Sequence, residues 1–399
     1  MEVIRVVPVR GPRPLRRWAA ATLALGLTGA CSPGGDVDAA PGASSGDTPA
    51  TEPVAPAYPG GEWTSVEPAA AGFDPAALDR LHQAAGAAAS TCLVVTRDGA
   101  VVDEHYWDGA TAGTTRQAFS VTKSLTSTLV GIAQDEGLLA LDDPAVEHIP
   151  EWRGTDSASV TVEDLLSGDS GRQWDFGTDY RDNMAIGAPD KTAFAVGLGQ
   201  DAPPGEMWAY NNSAVQTLSA VLESATGEDA AEYARSRLFE PIGMASSSMT
   251  TDSAGNVLTF MGLQSTCPDL ARFGYLMLND GAWEGEQVVS SDYVERATRR
   301  SSTDLNAAYG LLWWVNHEGA IASPAPATSG ADDGVVAQGR LVPDAPDDAF
   351  WALGFRNQVV AVIPSEGIVA VRMGAAPPAG APFGHAELTM GVLDALVDP

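Results

Sequence analysis

The chain has 399 residues, 45% of them hydrophobic and ten of them tryptophan, enough apolar surface for one large domain or two small ones and too much for a disordered chain. Its 22 Lys and Arg stand against 52 Asp and Glu, a formal charge of −30 that opposes approach to a phosphate backbone and excludes nucleic acid as an expected partner. Three cysteines without C-x-x-C spacing and five scattered histidines offer no ligand set, so no metal is expected.

Residues 1–31 start with five arginines (Arg5, Arg10, Arg13, Arg16, Arg17), run through an apolar stretch from Trp18 to Ala30 and reach Cys31 behind small residues, the layout of a secretory signal. The apolar stretch is shorter than the roughly 20 residues that a transmembrane helix needs. Leu27-Thr28-Gly29-Ala30-Cys31 looks like a relaxed bacterial lipobox, so the expectation is either lipidation at Cys31 or cleavage nearby with simple secretion. Both place the protein outside the cytoplasm, and membrane contact is expected only through that anchor. Residues 32–60 are Pro, Gly, Ala, Ser, Thr and Asp with almost no large apolar side chain, and read as a flexible tether. With Cys31 lipidated, Cys92 and Cys267 are left either to pair or to stay as buried thiols.

The folded domain is expected over 61–399. Asp74-Pro75 supplies an N-cap and a proline at the first helical position, followed by the helical run AALDRLHQAAGAAA. CLVVT and VVDEHYW flank Asp98-Gly99 and predict an antiparallel hairpin. From Phe119 the run FSVTKSLTSTLVGIAQDEG repeats Leu125, Leu129, Val130, Ile132 and Ala133 at helical spacing, with Gly137 as a stop. Thr161 to Asp164 resembles a capping box, and Ala202-Pro203-Pro204-Gly205 forms a stiff loop ahead of Tyr210-Asn211-Asn212 and a helix over Ser213–Thr226. EYARSRLFEPIGM and DLARFGYLMLNDG read as helices. YGLLWWVN, FWALGFRNQVVAVIP and GIVAVRMG each read as strand, and ELTMGVLDALV as a last helix. Strands at both ends around a helical middle predict an α/β (α+β) fold, with N- and C-terminal segments sharing one antiparallel sheet and the centre forming a helical subdomain.

The chemistry concentrates in Phe119–Gly137. Ser120 and Lys123 are three apart, which puts both side chains on one face of a helix whose positive N-terminal end carries the serine. A serine hydroxyl needs a base, and a lysine serves once burial has lowered its pKa enough to leave the amine neutral.

The whole run FSVTKSLTSTLVGIAQDEGLLALDDPAVEHIPEW resembles the opening of the serine β-lactamase and penicillin-binding-protein superfamily, in its class C-type branch. That branch includes DD-peptidases, esterases and 6-aminohexanoate-dimer hydrolases. The resemblance continues in LLSGDSGRQW, in Tyr210-Asn211-Asn212 as the Y-x-N motif and in the C-terminal strands, and spans about 61–399. It implies Ser120 as the acylated nucleophile and Lys123 as its proton partner. Tyr210 would be the base, as a phenolate or by sharing a proton with Lys123, and then the donor to the leaving group. Asn212 would bond Lys123 and the substrate, and Tyr180 would either contact substrate or be a loop aromatic in the lid. Gly354 would let a strand approach, so that the N–H of Phe355 joins that of Ser120 in an oxyanion hole. No cofactor is implied.

Ala352-Leu353-Gly354 stands where K-T-G would be, so the lysine that helps hold a β-lactam carboxylate is missing. With Gln358 downstream, this is more like the esterase and aminohexanoate relatives. Trp174, Trp313 and Trp314 either wall the pocket or belong to the core. The expected substrate is a small ester, amide or peptide. The alternatives are a DD-peptidase or β-lactamase, and a non-catalytic wall-binding protein on the same fold.

Overall fold

The computed structural model describes residues 58–181, 187–322 and 335–397, without the side chains of Tyr180, Arg181 and Val335. The predicted signal, Cys31 and nearly all of the tether lie outside this range. Its last three residues do not: Tyr58 packs edge-on against Tyr275 at 5.7 Å between ring centroids, and the Arg272 guanidinium donates to the carbonyls of Pro59 and Gly60. The folded domain therefore begins slightly before position 61.

Helix α1 (Pro75–Ala87) is capped by the Asp74 carboxylate, which accepts from the Ala76 N–H, with Pro75 at the first position. Strands β1 (Ser90–Arg97) and β2 (Ala100–Tyr106) form the predicted hairpin, with Asp98 and Gly99 both at positive φ in its turn. Helix α2 (Val121–Asp135) follows Ser120 and stops before Gly137, which sits at φ 72°. Helix α3 (Asn212–Thr226) and helix α4 (Cys267–Leu278) belong to the middle of the chain. The sheet is completed by β3 (Trp314–Val315), β4 (Phe350–Gly354), β5 (Gln358–Ile363) and β6 (Ile368–Gly374), and α5 (His385–Leu393) ends the fold.

These strands make one six-stranded antiparallel sheet in the order β2-β1-β6-β5-β4-β3, so the N-terminal hairpin pairs directly with the C-terminal strands. Its central strands are buried except at the last residues of β1 and β6, as expected for a sheet covered on both faces. Helices α1 and α5 lie on one face and α2 and α4 on the other. The alternation along β4 shows the two sides: the Trp351 indole donates to Thr389 of α5, whereas Phe350 meets Trp313. His385, at the start of α5, is buried against Trp351, and desolvation lowers its pKa to about 4, which keeps it neutral and structural.

One strand reading needs correction. FWALGFRNQVVAVIP is not a single strand but the β4–β5 hairpin, with Gly354 paired to Gln358 across Phe355, Arg356 and Asn357. Arg356 and Asn357 take φ 64° and 59°, and no Gly or Pro marks the turn in the sequence. Buried groups hold it instead. The Arg372 guanidinium donates to the carbonyls of Arg356 and Asn357, and the Gln358 amide donates to those of Phe355 and Gly374. YGLLWWVN likewise keeps only Trp314–Val315 as strand.

Cys92 in β1 and Cys267 at the start of α4 are joined by a disulfide across 175 residues, which resolves the choice left open between pairing and free thiols. In the chain-entropy limit a loop of that length contributes about 5 kcal/mol. Replacing both cysteines with alanine is expected to lower the thermal midpoint by several degrees in differential scanning calorimetry, with an unchanged far-UV circular dichroism spectrum at 20–25 °C.

Candidate active site

The residues before α2 set the position of Ser120. Arg116–Gln117 pairs with Leu263–Ser265 in a small three-stranded sheet, and the Ala118 N–H donates to the Leu263 carbonyl. Phe119 then turns through φ 50°, a left-handed conformation that a bulky side chain adopts only when its surroundings enforce it, at roughly 1–3 kcal/mol. Thr122 supplies that enforcement: its hydroxyl donates to the Phe119 carbonyl and accepts from the Leu263 N–H. Ser120 occupies the N-cap position, yet its side chain makes no cap hydrogen bond. Its hydroxyl is thus left for other chemistry.

Every side chain of α2 from Val121 to Ala133 is buried. The apolar repeat accounts for part of this, and short hydroxyls account for the rest. Ser124 donates to the Leu312 carbonyl, Thr126 to that of Thr259, and Ser127 bonds with the Tyr293 hydroxyl. Gly131 makes room for the Tyr293 ring, since a Cβ there would lie 2.5 Å from it. The helix is thereby fixed to its neighbours on several sides by directional bonds as well as by packing.

One turn along, Lys123 Nζ lies 2.9 Å from Ser120 Oγ, 2.7 Å from Asn212 Oδ1 and 3.1 Å from the Phe260 carbonyl oxygen. It also sits 4.8 Å from the centre of the Tyr210 ring. Burial lowers the lysine pKa to about 7, against an opposing pull from Asp179. Burial pushes the Tyr210 pKa well above the usual phenol range, against an opposing pull from the Ser120 hydroxyl. Its ring stacks on Trp314, 5.9 Å between centroids, and meets Tyr309 edge-on.

Asn211 caps α3 by accepting from the Ala214 N–H, while its amide donates to the carbonyls of Arg172 and Gln173. The structure thus brings Ser120, Lys123, Tyr210 and Asn212 into one cluster from two helix starts. Two participants carried no sequence signal. Asp179, buried on the turn Gly177–Arg181, lies in a mixed loop without periodicity. The Phe260 carbonyl is a backbone atom that residue type does not reveal.

Gly354 ends β4 against the segment before the serine: a Cβ there would meet the Ala118 carbonyl oxygen at 2.3 Å. Phe355 follows, half exposed, with its ring edge-on to Phe119 at 5.6 Å. Ala352 is fully buried two residues earlier. Of the tryptophans, Trp313 is core, stacked on Phe273, and Trp314 backs Tyr210. Trp174 flanks the cluster, its indole donating to the Tyr210 carbonyl. Tyr180 lies on the same turn as Asp179, its side chain outside the described residues, and Cys31 lies outside them altogether.

A serine at the start of a central helix, paired with a buried lysine and set against an antiparallel sheet, defines a serine hydrolase of the β-lactamase and transpeptidase type. The sequence pattern of the beta-lactamase family matches residues 76–389, and the chain belongs to that family. It is 27% identical over 265 residues to the 6-aminohexanoate-dimer hydrolase of Paenarthrobacter ureafaciens, covering 59% of this chain and 67% of that one. Among solved structures, a penicillin-binding protein homolog from Caulobacter crescentus superposes with a TM-score of 0.62 at 14% identity, over 84% of this chain and 99% of the other. D-alanine carboxypeptidase AmpC from Burkholderia cenocepacia gives 0.56 at 19% identity, over 80% and 100%. These two likenesses support the fold.

The contact at Gly354 gives a direct test. Gly354→Ala cannot be accommodated without moving either β4 or the Ala118–Ser120 turn. It is expected to slow labelling of Ser120 by a fluorophosphonate at least tenfold, while the thermal midpoint falls only slightly.

Proposed function

We propose that the protein is a secreted or lipid-anchored serine hydrolase that cleaves an ester or amide bond in a small substrate through an acyl-enzyme on Ser120. The observation that carries this reading is the setting of Lys123. Two of its three partners, the Asn212 and Phe260 oxygens, can only accept, and a neutral amine has two N–H groups to offer them. Its lone pair is then directed at Ser120, the one partner that can donate.

The reaction follows from that arrangement. Neutral Lys123 takes the proton from Ser120 Oγ as the oxygen attacks the substrate carbonyl. The tetrahedral oxyanion is placed against the N–H groups of Ser120 and Phe355, at the junction where Gly354 approaches Ala118. Burial disfavours the Tyr210 phenolate, which supports the shared-proton role: the neutral phenol passes a proton to the leaving group and is reprotonated from Lys123. Water then attacks the acyl-enzyme by the same route in reverse.

An amide substrate is supported by the relation to a 6-aminohexanoate-dimer hydrolase. The absence of lysine at position 352 argues against efficient β-lactam turnover, because the buried Ala352 offers no cation to a substrate carboxylate. Export is supported by the basic and apolar N-terminal run and by the Cys92–Cys267 disulfide, which suits an oxidising compartment.

The test is a panel of p-nitrophenyl esters, linear amides, D-Ala peptides and nitrocefin, run with fluorophosphonate labelling. Wild type is expected to take the label and Ser120→Ala none; an unlabelled, inactive wild type overturns the reading. Tyr210→Phe is expected to lower kcat by about 10²–10⁴-fold, the range for loss of a positioned acid–base group. Because the base must be neutral, kcat/KM is expected to fall as pH drops below an apparent pKa near 7, the value to which burial lowers Lys123. In a bacterial host, Cys31→Ser is expected to move the protein from the membrane fraction to the soluble one if the anchor exists, and to leave its distribution unchanged if the protein is simply secreted.

A further inference from the structure

We propose that Asp179 is a positioning residue of this site: its buried carboxylate fixes which way the side-chain amide of Asn212 faces, and so places an oxygen rather than an NH2 group against Lys123. The inference rests on the reading of Lys123 as the proton acceptor of Ser120.

Asp179 is almost completely buried. One of its oxygens, Oδ2, accepts from the Asn212 backbone N–H at 3.1 Å and from Asn212 Nδ2 at 2.9 Å. The other, Oδ1, accepts from the Ser213 N–H and the Ser213 hydroxyl, both at 2.9 Å. All four partners are donors. Three of them are N–H groups that can only donate and the fourth is a hydroxyl, so the hydrogen-bond pattern favours the ionised form, against the burial that raises the Asp179 pKa. The carboxylate also stands at the positive end of α3, where it satisfies two backbone N–H groups that the helix leaves unpaired, beside the one taken by Asn211.

The consequence reaches the nucleophile through Asn212. A side-chain amide has one accepting and one donating end, and a flip exchanges them. With Nδ2 held by Asp179, Oδ1 must face Lys123, where it lies 2.7 Å from Nζ. In the flipped state two acceptors would confront each other at Asp179, and two donors at Lys123. Without an acceptor from Asn212, one N–H of neutral Lys123 loses its partner and the lone pair is no longer confined to the direction of Ser120. Asp179 also acts through charge. The groups facing Lys123 are the Ser120 hydroxyl on its own helix, Asn212 and Tyr210 at the start of α3, the Phe260 carbonyl, and Asp179 as the anion that opposes its desolvation.

The test compares wild type, Asp179→Asn and the same change in an Asn212→Ala background. Steady-state kinetics on a p-nitrophenyl ester are read between pH 5 and 9, with thermal midpoints measured alongside. Asp179→Asn is expected to lower kcat at least tenfold with KM within threefold of wild type. Its acid limb should move to lower pH, since removing an anion lowers the lysine pKa. In the Asn212→Ala background the same change should cost less than threefold in kcat, because the route through the amide is already lost. A role confined to the helix end would lower the midpoint and leave the acid limb in place. If Asp179→Asn does not fold, Asp179→Ser, which keeps one acceptor for the helix end, is read in the same way. A folded variant with wild-type kcat and acid limb overturns this proposal alone, as does an equal loss in both backgrounds. A wild type that takes no fluorophosphonate and turns over no ester overturns the hydrolase reading with it.

Discussion

The burial of one amine organises the functional half of this protein. A charged ammonium in a dry interior is costly, and the cost can be met by surrounding it with acceptors or by letting it lose its proton. Lys123 has both outlets. Three oxygens lie within 3.1 Å of Nζ, and its pKa comes down to about 7, so the two protonation states are close in energy under physiological conditions. A group in that condition can take up and release a proton repeatedly with little driving force either way, as an acyl-transfer cycle requires.

The rest of the fold keeps that amine in place. Helix α2 is held from several directions by hydroxyl bonds to Leu312, Thr259 and Tyr293, so it has little freedom to slide or rotate. The strained Phe119 turn survives because Thr122 and the Arg116–Gln117 pairing fix it on both sides. The disulfide from β1 to α4 and the continuous sheet join the N-terminal hairpin to the C-terminal strands, and β4 delivers Gly354 to the backbone just before Ser120. Small displacements at any of these contacts would be felt at the nucleophile, because densely packed interiors transmit rather than absorb them.

The same packing sets the chemical character of the surroundings of Ser120. The β4–β5 turn is held from below by the buried side chains of Arg372 and Gln358, and above it the Phe119 and Phe355 rings meet edge-on beneath the Arg356 guanidinium. Nearby, the Tyr210 ring is backed by the buried Trp314, and the Trp174 indole donates to the Tyr210 carbonyl. The region beside Ser120 is therefore largely aromatic, and Ala352 lies sealed in the core without a lysine to reach it.

Much of this was legible in the amino-acid order, and the limits are instructive. Local signals determined the elements: Asp74-Pro75, Asp98-Gly99, Gly137 and the Thr161–Asp164 capping box each act within a few residues, and each stands where the pattern places it. The three-residue spacing of Ser120 and Lys123 is likewise a property of one helix. The hairpin inside FWALGFRNQVVAVIP was not legible, because its turn is held by side chains from β5 and β6 rather than by a glycine or proline of its own. Nor was Asp179, whose carboxylate has meaning only against the end of a helix that begins 33 residues later. The sequence by itself determined which residues could react and which helix would carry them. Only the tertiary structure decided their protonation and direction, because both depend on burial and on acceptors such as the Phe260 carbonyl, contributed by segments distant in the chain.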